Sequence, residues 1–251
     1  MIVEIFGPPA AGKTTLSRLL AERLRNHGLG VDLALSYRPA EVRSKGASGR
    51  RLEIPTVARR LVRPAVETLV TARHLYGDSP EANLAKTLLG LMPPVNAVWA
   101  IRLRQYIWRL THSWNRARTS DRIVIFDQAF VQALCSLVLL GAPKNANRLA
   151  QALDLIPRAD LLVRVEAHTE ILRARLQKRE RRQGVLERML ELNLETNLRS
   201  IEIIDDLERL LLDRDAVMVG VPSADDASRD VILDQLARTT AERFGIMAAR
   251  V

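Results

Sequence analysis

The stretch Ile2-Val3-Glu4-Ile5-Phe6-Gly7-Pro8-Pro9-Ala10-Ala11-Gly12-Lys13-Thr14-Thr15 sets how every other segment of the chain is understood. Residues 2–6 are apolar apart from Glu4, which suits a short buried strand. Gly7 opens a loop of the form Gly, four residues, Gly-Lys-Thr, and Leu16-Ser17-Arg18-Leu19-Leu20 then starts a helical pattern. Strand, glycine loop and helix come in the order that a P-loop requires. The residue types have physical reasons. Glycines let the backbone curl until successive N–H groups point into one concavity that suits phosphate oxygens. The helix behind the loop adds its positive N-terminal end. Lys13 supplies a cation for β- and γ-phosphates, and the Thr14 hydroxyl supplies a Mg²⁺ ligand. Gly7, Pro8, Pro9, Ala10, Ala11, Gly12, Lys13, Thr14 and Thr15 are therefore the expected nucleotide-binding residues, with ATP or GTP as the expected nucleotide.

A length of 251 residues suits one large α/β domain or a domain with a sizeable insertion. A hydrophobic content of 47% argues against global disorder. Cys135 is the single cysteine, so an internal disulfide is excluded and a small buried apolar residue is expected there. One cysteine beside a nucleotide loop points to the cytoplasm. No secretory leader is evident, and the most apolar stretches, 88–101 and 133–142, are too short or too broken to span a membrane. The net charge is +9. Residues 38–74 carry nine Arg or Lys against three Glu, a local balance of +6. Such a patch suits a solvated face, a polyanionic substrate, an anionic lipid surface or nucleic acid. An aromatic content of 4% argues against a base-stacking platform, so nucleic acid is not the expected partner.

In chain order, a helix is expected over 14–27, with Leu16, Leu19, Leu20 and Leu24 as its apolar stripe and Gly28 as its stop. A second strand comes at 31–35, which implies a βαβ unit in a parallel sheet. Ligands of such sheets sit beyond the carboxyl ends of the strands, so Arg38 falls near the phosphates. Residues 43–96 exceed a simple crossover and read as a largely helical insertion. The segment 97–114 is amphipathic: Trp99, Leu103, Ile107, Leu110 and Trp114 share one face, and Arg102, Gln105, Arg109, His112 and Arg116 share another. The second stripe is read either as a solvated polar face or as a lining of the acceptor pocket. A third strand at 122–126 ends in Asp127, a position suited to holding Mg²⁺ or to accepting a proton from an acceptor hydroxyl. A buried helix is expected over 128–140 and a fourth strand over 160–165. In the helix over 170–182, Arg175 and Arg179 share a face and suit charge stabilisation over a transferring phosphate. A long helix over 185–212, a fifth strand over 216–219 and a last helix capped by Ser223 complete the chain.

The P-loop at Gly7 to Thr15, Arg38-Pro39 after the second strand, Asp127 after the third, the Arg175/Arg179 pair and the turn at Gly220 to Ser223 together resemble the P-loop kinases of the nucleoside and nucleotide type, thymidylate kinases above all. Arg38-Pro39 lacks the Glu of that family's Arg-Glu-Pro segment, and Gln128 stands where the family has an arginine. The resemblance implies an α/β P-loop NTPase three-layer fold, with a five-stranded parallel sheet and a lid at about 170–184, in a single domain over 1–251. It implies a Mg²⁺- and ATP-dependent kinase of a small-molecule acceptor, whose reacting group, phosphate or hydroxyl, it leaves open; the basic candidates on the acceptor side favour an anionic one. Lys13, Asp127, Arg175 and Arg179 would be catalytic, Thr14 and Asp127 would hold the metal, and Arg38, Arg102, Gln105 and Arg109 would face the acceptor. Kinases of this kind are often dimers, so a homodimer is open to it. Two other readings stand beside this one: a nucleotide-binding regulatory protein that docks a partner on its basic insertion, and a kinase of a sugar, antibiotic or lipid-like acceptor.

Overall fold

Five apolar runs, β1 (Ile2–Phe6), β2 (Val31–Ala34), β3 (Ile123–Phe126), β4 (Leu161–Glu166) and β5 (Met218–Pro222), pair side by side as one parallel sheet in the order β2-β3-β1-β4-β5. The structure is a computed structural model that describes residues 1–35, 79–141, 145–182, 194–223 and 226–248. Eight helices lie among the described residues: α1 (Lys13–Asn26), α2 (Pro80–Leu91), α3 (Ala97–Arg118), α4 (Phe130–Leu140), α5 (Ala146–Leu155), α6 (Thr169–Arg182), α7 (Leu194–Leu212) and α8 (Asp226–Ala248).

The two-residue period of a strand sends alternate side chains into two separate cores. Val3 and Ile5 of β1 and Ile123 and Ile125 of β3 pack with Leu16, Leu20 and Leu24 of α1 and Leu233 and Leu236 of α8. Arg23 fastens this layer by donating to Asp234 at 2.6 Å. Ile2 and Phe6, with Val124 and Phe126, face the other way. They meet Leu88 of α2, Ile107 and Trp114 of α3, Leu134 of α4, Leu153 of α5 and Leu207 of α7. Trp114 stands between Phe126 and Phe130, with ring centroids 5.1 Å from each. Each such large apolar side chain contributes about 1.5–3 kcal/mol of burial. Strands covered on both faces must be apolar throughout, which is why β1 and β3 read as near-continuous hydrophobic runs. The result is the expected three-layer α/β fold of a P-loop NTPase, with a five-stranded parallel sheet.

The strand order positions the site. β2 does not lie beside β1, as a simple βαβ unit would have it, because β3 enters between them. β1 is thus flanked by β3 on one side and β4 on the other. The loops leaving their carboxyl ends converge at this switch of direction, where ligands of open α/β sheets collect.

Several expected boundaries shift. The helix after β3 starts at Phe130 rather than at 128, because Asp127 and Gln128 make the turn out of the strand and the Asp127 amide donates to Ala34 O at 3.3 Å. The fifth strand occupies Met218–Pro222 rather than 216–219, because its ladder with β4 runs from Leu162↔Met218 to Glu166↔Pro222. Ala216 instead closes the end of α7, its amide donating to Leu211 O at 3.1 Å. Ser223 follows β5, and residues 224–225, which join it to α8 and bear on the cap expected of it, lie outside the described residues. Helix α5 is an element that the sequence pattern did not reveal. Asn145 caps it by accepting from the Arg148 amide at 3.2 Å, and Leu149, Ala152 and Leu153 form its buried stripe. α3 extends past Trp114 to Arg118. Of the insertion expected over 43–96, residues 79–96 are described: Ser79 caps α2 and Pro80 starts it, and α2 packs along α3. Arg38 and the basic residues of 43–73 lie outside the described residues.

Candidate functional site

The loop between β1 and α1 is shaped by three residues with positive φ: Gly7 at 148°, Ala10 at 63° and Gly12 at 102°. Gly7 also passes so close to β4 that a Cβ on it would stand 2.5 Å from Val165 O. Gly12 occupies the N-cap of α1, which has no side-chain cap and no acidic residue in its first turn. The positive end of the helix is therefore left to an incoming anion. Lys13 is 5% exposed and folds back over the loop, Nζ donating to Gly7 O at 2.7 Å and to Pro8 O at 2.8 Å. This rest position holds the ammonium against the loop whose amides would receive phosphate. Thr15 is exposed in the first turn of α1.

Thr14 and Asp127 come together from opposite halves of the chain. The Thr14 hydroxyl donates to Asp127 Oδ2 at 2.8 Å, and Asp127 is fully buried at the end of β3. Two hard oxygen donors, one of them anionic, beside a phosphate-binding loop match what Mg²⁺ takes from a protein: one or two ligands, with waters and phosphates filling the rest. Among the described residues there is no group of three or more His, Cys, Asp or Glu that could hold a metal ion.

Beside this pair lies a carboxyl that the sequence marks only as a charge in a strand. Glu4 is 1% exposed, and its Oε1 accepts from the Val131 amide at 2.7 Å. Burial pushes Glu4 up to about 8, against the pull of the amides of Val131, Gln132, Phe130 and Ala129 at the start of α4. Tyr106 of α3 stands in the same neighbourhood. Burial raises its phenol, the negative charges of Glu4 and Asp127 raise it further, and Arg109 opposes them. Tyr106 is half-buried as a residue, yet its Oη is sealed from solvent without a hydrogen-bond partner. Gln105 Nε2 and Gln132 Oε1 are likewise buried and unpartnered. Buried polar groups are nearly always paired, so these atoms, with Arg104 Nε and Trp114 Nε1 also on α3, stand out. Cys135 is buried and its thiol is pushed up to about 12 by that burial, which makes it an inert part of the core, as expected.

The expected arginines divide. Arg175 of α6 reaches the site: Nη1 donates to Ala10 O at 3.3 Å and to Ser223 Oγ at 3.0 Å, tying α6 to the P-loop and to the turn after β5. Arg179 lies one turn further along α6. Arg102 is exposed and rests over the Trp99 ring, 5.0 Å from its centroid. Arg109, also exposed, is near enough to Tyr106 to act on its phenol. Of the tryptophans of α3, Trp114 is buried, Trp99 is half-buried, and Trp108 stacks on His112 at 6.2 Å. The sequence does carry a signal for Glu4, since a charge at an inward position of a central strand is the unusual residue in such a run. Tyr106 and Gln132 carry none, because their surroundings depend on which helices pack beside β1 and β3.

Comparison with known proteins adds to this geometry. A family model described as "AAA domain" matches residues 2–203. No curated protein matches the chain. Among solved structures, the deoxyadenosine kinase from M. mycoides with bound dCTP aligns at a TM-score of 0.48 and 15% identity, over 94% of this chain and 98% of that one. The same kinase with bound dATP aligns at 0.48 and 16%, over 94% and 99%. Identities and TM-scores at this level leave the chemistry of the site to be argued from this chain's own residues.

Proposed function

The chain belongs to the AAA domain family, and we propose that it is a Mg²⁺- and ATP-dependent phosphotransferase of the nucleoside-kinase type. The observation that carries the proposal is the 2.8 Å contact between Thr14 and Asp127 at the mouth of the loop that Lys13 closes. In this reading the amides of Gly7 to Thr14 receive the triphosphate. Lys13 leaves the carbonyls of Gly7 and Pro8 for the β- and γ-phosphates. Thr14 and Asp127 hold Mg²⁺, which supplies neutralisation of the phosphate charge. Arg175, already bridging Ala10 and Ser223, places its guanidinium over the transferring group, and Arg179 belongs to the same helix. The acceptor oxygen forms its bond to phosphorus while the bridging bond to the departing diphosphate breaks, and the acceptor proton passes to a base, for which Asp127 is the candidate. Positioning and charge stabilisation supply most of such a rate enhancement.

On the acceptor side, Tyr106 Oη is buried without a hydrogen-bond partner close enough to Glu4 and Asp127 to feel their charge. An uncharged phenol there suits a hydroxyl-bearing acceptor such as a nucleoside, whereas the basic residues expected on that side suit an anionic one. The regulatory reading, with a partner docked on the basic insertion, rests on residues outside those described, and no observation favours it.

The test is ATP consumption with Mg²⁺ against nucleosides, nucleoside monophosphates and sugars, with Lys13→Ala as control. Acceptor-dependent ADP release is expected, reduced at least about 100-fold in the folded control, the scale seen when one charge-stabilising donor is removed. Turnover by Lys13→Ala at the wild-type rate, or no acceptor-dependent turnover across the panel, would remove the kinase reading.

A further inference from the structure

We infer that Glu4 is a positioning residue for the Thr14–Asp127 pair: the strand that leads into the P-loop supplies the carboxyl that caps α4, and so sets where Asp127 stands relative to Thr14. The inference rests on the reading of that pair as the Mg²⁺-nucleotide site.

Glu4 sits between Ile2 and Phe6 on the face of β1 turned toward α3 and α4, in a strand buried at every position. A carboxyl there costs several kcal/mol unless hydrogen bonds compensate it. The compensation is local to one place. The Val131 amide donates to Oε1 at 2.7 Å, and the amides of Ala129, Phe130 and Gln132 act on the same carboxyl. These belong to the first turn of α4, where helix amides have no partners within the helix. α2, α3 and α5 satisfy that turn with their own Ser79, Asn96 and Asn145. α4 has Ala129 at its N-cap and no side-chain cap. Glu4 does from 127 residues away what a local serine or asparagine does elsewhere.

The position of this cap gives it consequences beyond helix stability. Glu4 is paired in register with Phe126, the residue before Asp127. Val131 is the second residue of α4. The turn that carries Asp127 is therefore held on one side by the β1–β3 ladder and on the other by the Glu4 carboxyl. Both holds belong to β1, the strand that continues into Gly7 and on to Thr14. A single side chain couples the chain that presents the hydroxyl to the chain that presents the carboxylate. Two oxygens 2.8 Å apart can share a cation only while that separation is kept.

The experiment measures ATP affinity by calorimetry, with Mg²⁺ and with EDTA, for the wild type, Glu4→Leu and Glu4→Gln. Leu fits an apolar strand face but accepts nothing from α4, whereas Gln keeps an acceptor oxygen for the Val131 amide. In Glu4→Leu the metal-free affinity should stay within about 2-fold while the Mg²⁺ enhancement falls about 10-fold or more, the scale of losing a group that orients a metal ligand. Glu4→Gln should recover most of the enhancement. An unchanged Mg²⁺ enhancement in folded Glu4→Leu would overturn the inference, and so would an equal fall in metal-free affinity, which marks general structural damage. Should Glu4→Leu not fold, hydrogen exchange of the wild type decides. Amides 129–132 protected like those of β1 and β3 support the cap, and exchange as fast as an uncapped first helical turn overturns it. A wild type that binds no ATP would remove the proposed function and this inference together. An Mg²⁺ response indifferent to Glu4 removes this inference alone.

Discussion

Two residues of the P-loop, Ala10 and Gly7, stand under opposite constraints. Ala10 adopts φ 63°, a region that costs a non-glycine residue about 1–2 kcal/mol. Nothing but its own Cβ opposes that conformation, so Ala10→Gly should relieve the strain and lose part of the gain to the greater freedom of glycine when unfolded. A net stabilisation of about 0.5–1 kcal/mol is expected, read as a higher urea midpoint at unchanged m-value. Gly7 is the reverse case. At φ 148° and with Val165 O 2.5 Å from where a Cβ would sit, Gly7→Ala must displace β4 backbone that is paired on both sides. A loss of about 1–3 kcal/mol or more is expected, with nucleotide affinity falling alongside it. If Gly7→Ala kept wild-type stability, the loop would have to take a different path from the one described.

Among the elements, α6 is joined to the site through one side chain. Arg175 is exposed, and its contacts to Ala10 O and Ser223 Oγ bridge three segments that leave the carboxyl ends of β1, β4 and β5. An exposed arginine contributes little to stability, so Arg175→Ala should unfold within about 0.5 kcal/mol of wild type. If the guanidinium meets the transferring phosphate, kcat should fall by about 100-fold or more. Arg175→Lys should recover only part, because an ammonium cannot reproduce the planar fork. Loss in KM alone would make Arg175 a tether of the helix and not a participant in transfer. α4 shows the other way an element is placed. Its Phe130 packs on Trp114 and its first amides fall on Glu4, so its start is set by side chains from α3 and β1 and not by its own residues.

Across the folded chain, Glu4 couples stability to pH. Its folded value is raised from 4.5 to about 8 by burial. Between those two values the folded chain keeps a proton that the unfolded chain has lost. Stability therefore falls as pH rises through that window, by at most about 1.4 kcal/mol per pH unit from this group, and levels off above it. Urea midpoints measured from about pH 5 to 9 should decline toward about pH 8 in the wild type and lose that component in Glu4→Gln. An equal slope in both would place the buried charge elsewhere.

Much of this protein is legible in its sequence because the signals involved are local. Gly-x4-Gly-Lys-Thr after an apolar run defines the loop within fifteen residues. Strands covered on both faces must be apolar, so four of the five appear at or within a residue of their true bounds. The sequence also puts Asp127 just after the third strand and Arg175 within the helix that follows the fourth, where the structure has them. What distance along the chain conceals emerges only on folding. The register Glu4↔Phe126 turns a charge in a strand into the cap of a helix 127 residues away. The insertion of β3 between β1 and β2 brings Asp127 beside Thr14. The packing of α3 and α4 against β1 brings Tyr106 up to Glu4 and Asp127. Sequence specifies local conformation through periodicity and backbone preference, which act over a few residues. The surroundings of a buried polar atom are set by which distant strands and helices pack around it, and the physical cost of leaving that atom unpaired becomes visible only once they have met.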